Sequence, residues 1–190
     1  MDRFDALPGD MATVERVALG SAALPDNAFA QALEAIIPHL RGYARSLSRS
    51  PAQADDLVQD ALLRAWSARA RFQAGTNFKA WMFVILRNVF LSGLRRRKFE
   101  QETTGNEPEI IAPAAQPGHM ELLALRDALA KLAPSRREAL MLVGAAGMSY
   151  EEAAKVCGCA VGTIKSRVSR ARSELQLLLE GESPEPDPAG

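Results

Sequence analysis

The sequence predicts an all-α protein of two small helical domains joined by an extended linker, and three observations predict it. No stretch alternates apolar and polar residues as a half-buried strand would; apolar residues instead recur three and four apart, segment after segment. Residues 103–120 (TTGNEPEIIAPAAQPGHM) break that pattern with three prolines, two glycines and no stripe, which reads as an extended linker. Charge divides at the same place. The 23 basic and 23 acidic residues give a net charge of zero, yet 27–102 carries six acids and twelve bases, and 121–180 seven acids and nine bases. Residues 1–26 hold five acids and two bases, while the linker and the tail 181–190 hold two and three acids and no base. Two basic blocks flanked by acidic segments read either as two polyanion-binding modules or as ordinary solvated helix faces. The divisions are therefore an N-terminal extension 1–26, expected to be poorly ordered, a first domain 27–102, the linker 103–120, a second domain 121–180 and an acidic tail 181–190.

Several classes are excluded at this level. A chain of 190 residues with 47% hydrophobic and 24% charged residues has the composition of a soluble globular protein. The longest strongly apolar run, Trp81–Leu91, is interrupted by Arg87 and Asn88 and is about half of the ~20 residues a membrane helix needs. The first twenty residues scatter Asp2, Asp5, Asp10 and Glu15 among apolar ones, unlike a secretory signal. Cys157 and Cys159, one residue apart, cannot staple a secreted scaffold, and a reducing cytoplasm fits.

The first helix is expected over 27–49, where Phe29, Leu33, Ile36, Leu40, Tyr43, Ala44 and Leu47 share a face; Pro38 should kink or split it. The second starts at Pro51 behind Ser50 as N-cap, with Asp55 and Asp56 near its positive end and a buried stripe of Leu57, Val58, Ala61, Leu62, Ala65 and Trp66. Its opposite face shows Asp56, Gln59, Asp60 and exposed Leu63, which suits a protein partner or, equally, a solvated helix start. A loop through Gly75, with Thr76 and Asn77 as caps, leads to a third helix at 78–98 ending in Arg95, Arg96, Arg97 and Lys98. That helix interleaves Phe78, Trp81, Phe83 and Phe90 with Lys79, Arg87 and Asn88, a mixture able to stack and hydrogen-bond an opened DNA strand, although most of the aromatics are expected in the core. Past the linker, Leu122, Leu125, Leu129 and Leu132 mark a helix ending before Pro134. Further helices are expected at 135–144, 149–157 and 162–179.

The segment 149–175 has the marks of a helix-turn-helix. Ser149 and Glu152 have capping-box spacing, Ala153 and Ala154 permit a close helix approach, and Gly158 suits the tight turn. In the next helix Ile164, Val168, Ala171 and Leu175 form the buried stripe. Gly162, Ser166, Ser169, Arg170 and Ser173 face outward, with Lys165 and Arg172 on one flank and Arg167 on the other. Small polar residues would let the helix seat in a major groove while cations meet bases and phosphates.

DDLVQDALLRAW (55–66), FKAWMFVILRNVFLSGLRRRK (78–98) and SYEEAAKVCGCAVGTIKSRVSRAR (149–172) resemble, in order, the polymerase-binding, melting/−10-reading and −35-reading motifs of extracytoplasmic-function sigma factors. The stretch 143–172 is similar to the EcfG type, which runs the general stress response of alphaproteobacteria. The resemblance covers about 27–180. It implies an alternative sigma factor, cytoplasmic and not an enzyme, that binds core RNA polymerase and directs promoter-specific initiation without a cofactor or small-molecule substrate. It further implies that Asp56, Gln59, Asp60 and Leu63 meet the largest polymerase subunits, and that Phe72, Gln73, Thr76, Asn77, Lys79, Trp81, Arg87 and Asn88 serve −10 DNA. Thr163, Lys165, Ser166, Arg167, Ser169, Arg170 and Arg172 would serve −35 DNA, and a NepR-type anti-sigma factor would be a partner. Many relatives carry an acid where Ser92 stands, so this chain departs from the pattern beside the Arg-rich helix end.

Two rivals are weaker. A sigma-imitating protein that sequesters an anti-sigma factor would be expected to carry a receiver domain and has little use for a cationic outer helix face. An ordinary helix-turn-helix regulator does not require the acidic second helix. His39 and His119 are eighty residues apart, and two cysteines are too few for zinc, so neither a catalytic nor a metal site is expected.

Overall fold

A computed structural model describes residues 24–48, 50–104 and 120–181, and among them every regular element is helical. Most of the expected N-terminal extension, linker and acidic tail (1–23, 105–119 and 182–190) lies outside the described residues. Among the described residues seven α-helices follow in order: α1 (Asp26–Leu47), α2 (Pro51–Ser67), α3 (Phe78–Thr104), α4 (Met120–Lys131), α5 (Pro134–Leu140), α6 (Tyr150–Cys157) and α7 (Val161–Glu180). A 3-10 turn (Arg69–Arg71) follows α2, and a π-turn (Met141–Ala145) extends α5.

The first module packs α1, α2 and α3 around one another. Pro38 does not split α1, which runs unbroken from Asp26 to Leu47. Proline removes one helical hydrogen bond; here it is exposed, so the carbonyl it leaves free can meet water, while Ile36 and Leu40 on either side are buried. The α2 stripe is narrower than expected. Leu57, Val58, Ala61 and Ala65 are buried, but Trp66 stays at the edge, with its ring in edge contact with Phe29 and the Arg69 guanidinium 4.8 Å above it. Phe29 itself sits inside a cage of Trp66, Phe72, Phe78 and Trp81, with ring centroids 5.4–6.2 Å away.

In the second module α5 and α6 pack against α7, and α4 closes its far side. The capping box forms: the Glu152 amide donates to Ser149 Oγ (3.1 Å) and the Ser149 amide to Glu152 Oε2 (2.7 Å). Gly158 ends α6 at φ 64°, a left-handed conformation that costs a side-chain-bearing residue about 1–2 kcal/mol. We expect Ser149→Ala to lower unfolding stability by about 1 kcal/mol, as typical for a lost N-cap, and Gly158→Ala by at least as much. Urea midpoints at unchanged slope would check both.

The modules do not stand apart. α3 packs on α6, α1 packs on α5 and the π-turn, and one continuous apolar cluster runs from Phe29 and Met82 through Ala139 and Leu142 to Ile164 and Val168.

Candidate nucleic-acid interface

On α7, Ile164, Val168 and Ala171 are fully buried, and Leu175, where the stripe leaves the core, is half-buried. The helix thereby presents Gly162, Lys165, Ser166, Ser169, Arg170, Arg172 and Ser173 to solvent. Thr163 and Arg167 are half-buried. Arg167 Nη1 lies 3.8 Å from Cys159 Sγ, which ties that cation along the interhelical turn. Lys165 Nζ lies 5.9 Å from the centre of the Tyr150 ring. Four cations and small polar side chains on a helix whose reverse is locked into a core can enter a groove without losing their mounting.

The α2 face comes out as one surface. Asp56, Gln59, Asp60 and Leu63 are all exposed, and Leu63, at 68% accessible, is a large apolar side chain left open to solvent. Acid beside open apolar surface suits a protein partner rather than DNA.

The set between 72 and 88 is not assembled as one open site. Phe72 is buried against Phe78 and Trp81, so its ring supports the loop and cannot stack on a base in this arrangement; an aromatic within loop signals gave no hint of the cage beneath. The Gln73 carbonyl accepts from the Thr76 amide and hydroxyl, closing a turn in which Gly75 has φ 86°. Asn77 caps α3, its Oδ1 accepting from the Ala80 amide at 2.9 Å, and its Nδ2 donates to Glu152 Oε1 of α6. Lys79 Nζ donates to the Ala146 carbonyl after the π-turn. Trp81 and Asn88 are half-buried.

Arg87 is also engaged. Its Nε–H donates to Glu138 Oε1 at 2.8 Å, and the Tyr43 hydroxyl donates to the same oxygen at 2.7 Å. The Arg87 and Glu138 side chains are only 17% and 11% exposed. Burial, and after it the Glu138 charge, pushes the Tyr43 hydroxyl well above its ordinary range, so it remains a donor. Burial, the largest single influence, works against the Arg87 charge, but the charge and hydrogen bond of Glu138, joined by Cys157 and Tyr43, together outweigh it, and the guanidinium is held more firmly protonated than usual. Sequence reasoning placed Tyr43 on a buried stripe and Glu152 in a capping box without their contacts across the modules, and it missed Glu138. One signal was present: a tyrosine on a buried stripe must find a partner for its hydroxyl.

Residues 33–100 match the family Sigma-70 region 2, and residues 122–175 match Sigma-70, region 4. The ECF RNA polymerase sigma factor EcfG of Rhodopseudomonas palustris (strain TIE-1) is 52% identical over 149 residues, 76% of this chain and 81% of that relative. The chain belongs to the extracytoplasmic-function sigma factors. The sigma factor RpoE of Bartonella quintana, solved with the anti-sigma factor NepR, superposes with a TM-score of 0.74 at 49% identity, covering 81% of this chain and 98% of that one. CnrH, solved with the cytosolic domain of CnrY, gives 0.64 at 30% identity over 84% and 92% of the two chains.

Members of this family are transcription initiation factors and not enzymes; their sigma-70 regions bind core RNA polymerase and promoter DNA. In this sigma factor, region 2 takes in most of α1–α3, and region 4 runs from α4 through α5 into the helix-turn-helix of α6 and α7. Among the described residues no three His, Cys, Asp or Glu side chains gather as a metal site, and no helix is long and apolar enough to cross a membrane. Burial, and next to it the Glu138 charge, pushes the Cys157 thiol up to about 12, so at neutral pH it is protonated and behaves as a small apolar core residue.

Proposed function

We propose that this sigma factor works in the cytoplasm, joins core polymerase through Asp56, Gln59, Asp60 and Leu63, and directs initiation at general stress response promoters. Gln73, Thr76, Asn77, Lys79, Trp81, Arg87 and Asn88 engage −10 DNA, with Phe72 as their support. Thr163, Lys165, Ser166, Arg167, Ser169, Arg170 and Arg172 engage −35 DNA. The observation that carries this reading is the separation of two exposed faces, acidic and apolar on α2, cationic and small on α7, each backed by buried stripes. Likeness to EcfG supports the stress-response assignment, and the NepR-bound Bartonella structure supports a NepR-type anti-sigma factor as regulator. In vitro transcription with purified core polymerase tests it: initiation confined to specific promoters, and only when the chain is added, is expected.

Asp60→Lys combined with Gln59→Ala should weaken assembly with core polymerase about tenfold, the scale of ~1.4 kcal/mol lost at an interface. Folding should be unchanged, since both side chains are exposed. Competition for core polymerase alongside circular dichroism checks this, and unaltered affinity in a folded variant removes α2 from the interface.

A further inference from the structure

We propose that Tyr43, Glu138 and Arg87 form an intramolecular latch, in which a carboxylate of region 4 occupies a guanidinium that region 2 offers to DNA and so holds the chain closed. The inference rests on the −10 role proposed for α3. The three side chains come from α1, α5 and α3, and a single Glu138 oxygen takes both donors at 2.7 and 2.8 Å. A guanidinium pairs with a carboxylate and with a phosphate through the same N–H donors, so Glu138 and a DNA phosphate are competitors for Arg87.

The neighbouring contacts point the same way. Lys79 is turned to the Ala146 carbonyl and Asn77 to Glu152, so region 4 holds three polar side chains of the set assigned to DNA. Within the apolar cluster that joins the modules, the seam between α1 and the α5 stretch carries this polar contact, with a surface groove beside it. A groove of about 210 Å³ lined by Pro38, His39, Gly42, Tyr43 and Met141 flanks the Tyr43–Glu138 contact on one side. Another of about 250 Å³, lined by Leu47, Phe90, Leu94, Pro134 and Glu138, flanks the other. The grooves bring water close to the pair, and a desolvated ion pair is better suited to fixing an arrangement than to stabilising it, because opening returns both charges to water. The contact is therefore poised: it selects the closed form yet can be exchanged for DNA.

Full-length Glu138→Gln and Tyr43→Phe test the latch, with Glu34→Gln, an exposed acid of α1 away from these contacts, as the control for net charge. Small-angle scattering reads opening, and anisotropy with a fluorescein-labelled mixed-sequence single strand reads access to α3. Glu138→Gln should enlarge the radius of gyration and bind the strand about tenfold more tightly than Glu34→Gln does. Tyr43→Phe, which removes one oxygen and no charge, should move both readouts in the same direction by less, and it carries the test alone if Glu138→Gln fails to fold. A Glu138→Gln chain as compact as the wild type overturns the latch. A chain that opens without gaining on Glu34→Gln for the strand overturns the DNA role of α3 and with it the occlusion, while the closure by Glu138 stands.

Discussion

Phe29→Ala should cost about 3–5 kcal/mol of folding stability, the range for removing a buried phenylalanine from a core. Phe29 is 1% exposed and is the ring that Trp66, Phe72, Phe78 and Trp81 all touch. Removing it leaves a void between α1, α2 and α3 whose rigid aromatic walls cannot easily collapse inward. Against the 5–15 kcal/mol that usually holds a domain folded, that is a large fraction. Urea unfolding followed by tryptophan fluorescence suits the measurement, because the chain's two tryptophans, Trp66 and Trp81, both line this cage. The loop beginning at Phe72 should loosen with it, so promoter opening should weaken even where the variant remains folded. A loss below about 1 kcal/mol would show that the cage does not anchor region 2.

Arg170→Ala and Ser166→Ala should lower initiation by damaging recognition of the upstream element, whereas Asn88→Ala should chiefly damage opening. Ser166 and Arg170 are one turn apart and exposed on the α7 face opposite Ile164 and Val168, so they can reach adjacent base pairs in one major groove. A good base contact there is worth ~1–3 kcal/mol of discrimination, roughly ten- to a hundredfold in specific affinity. Asn88 lies instead on α3, where an amide can satisfy the edge of an extruded base. Binding to duplex and to pre-opened promoter templates separates the two: pre-opening should rescue neither upstream variant. Normal opening by Asn88→Ala together with lost upstream discrimination would refute this division of labour.

What the sequence made legible was what local rules determine. The Ser149–Glu152 box closes within one turn, Gly158 answers a backbone need at a single residue, and the Ile164–Val168–Ala171 stripe follows from helical period. Each needs no knowledge of the rest of the chain. Pro38 and Trp66 show where local rules mislead. A proline's cost depends on whether water can reach the carbonyl it frees, and a tryptophan's depth depends on what stands beyond the helix that carries it. The joining of the two modules was not legible, since Arg87 and Tyr43 meet a glutamate 51 and 95 residues away whose segment could be read only as a further helix. The candidate DNA residues could thus be named from motifs, but not the fact that three of them are held by the other module.

The π-turn after α5 carries a consequence for how such a chain tolerates changes in its length. Its backbone bond from the Ala146 amide to the Met141 carbonyl, 2.8 Å long, spans five residues, one more than an α-turn. A single surplus residue is thereby absorbed as a local widening. Were it an ordinary helical turn, everything downstream would be rotated by about 100° per residue added or removed. Region 4 thus has a place where the spelling of the chain can shorten by one letter, the π-turn reverting to an α-turn, without re-aiming α6 and α7.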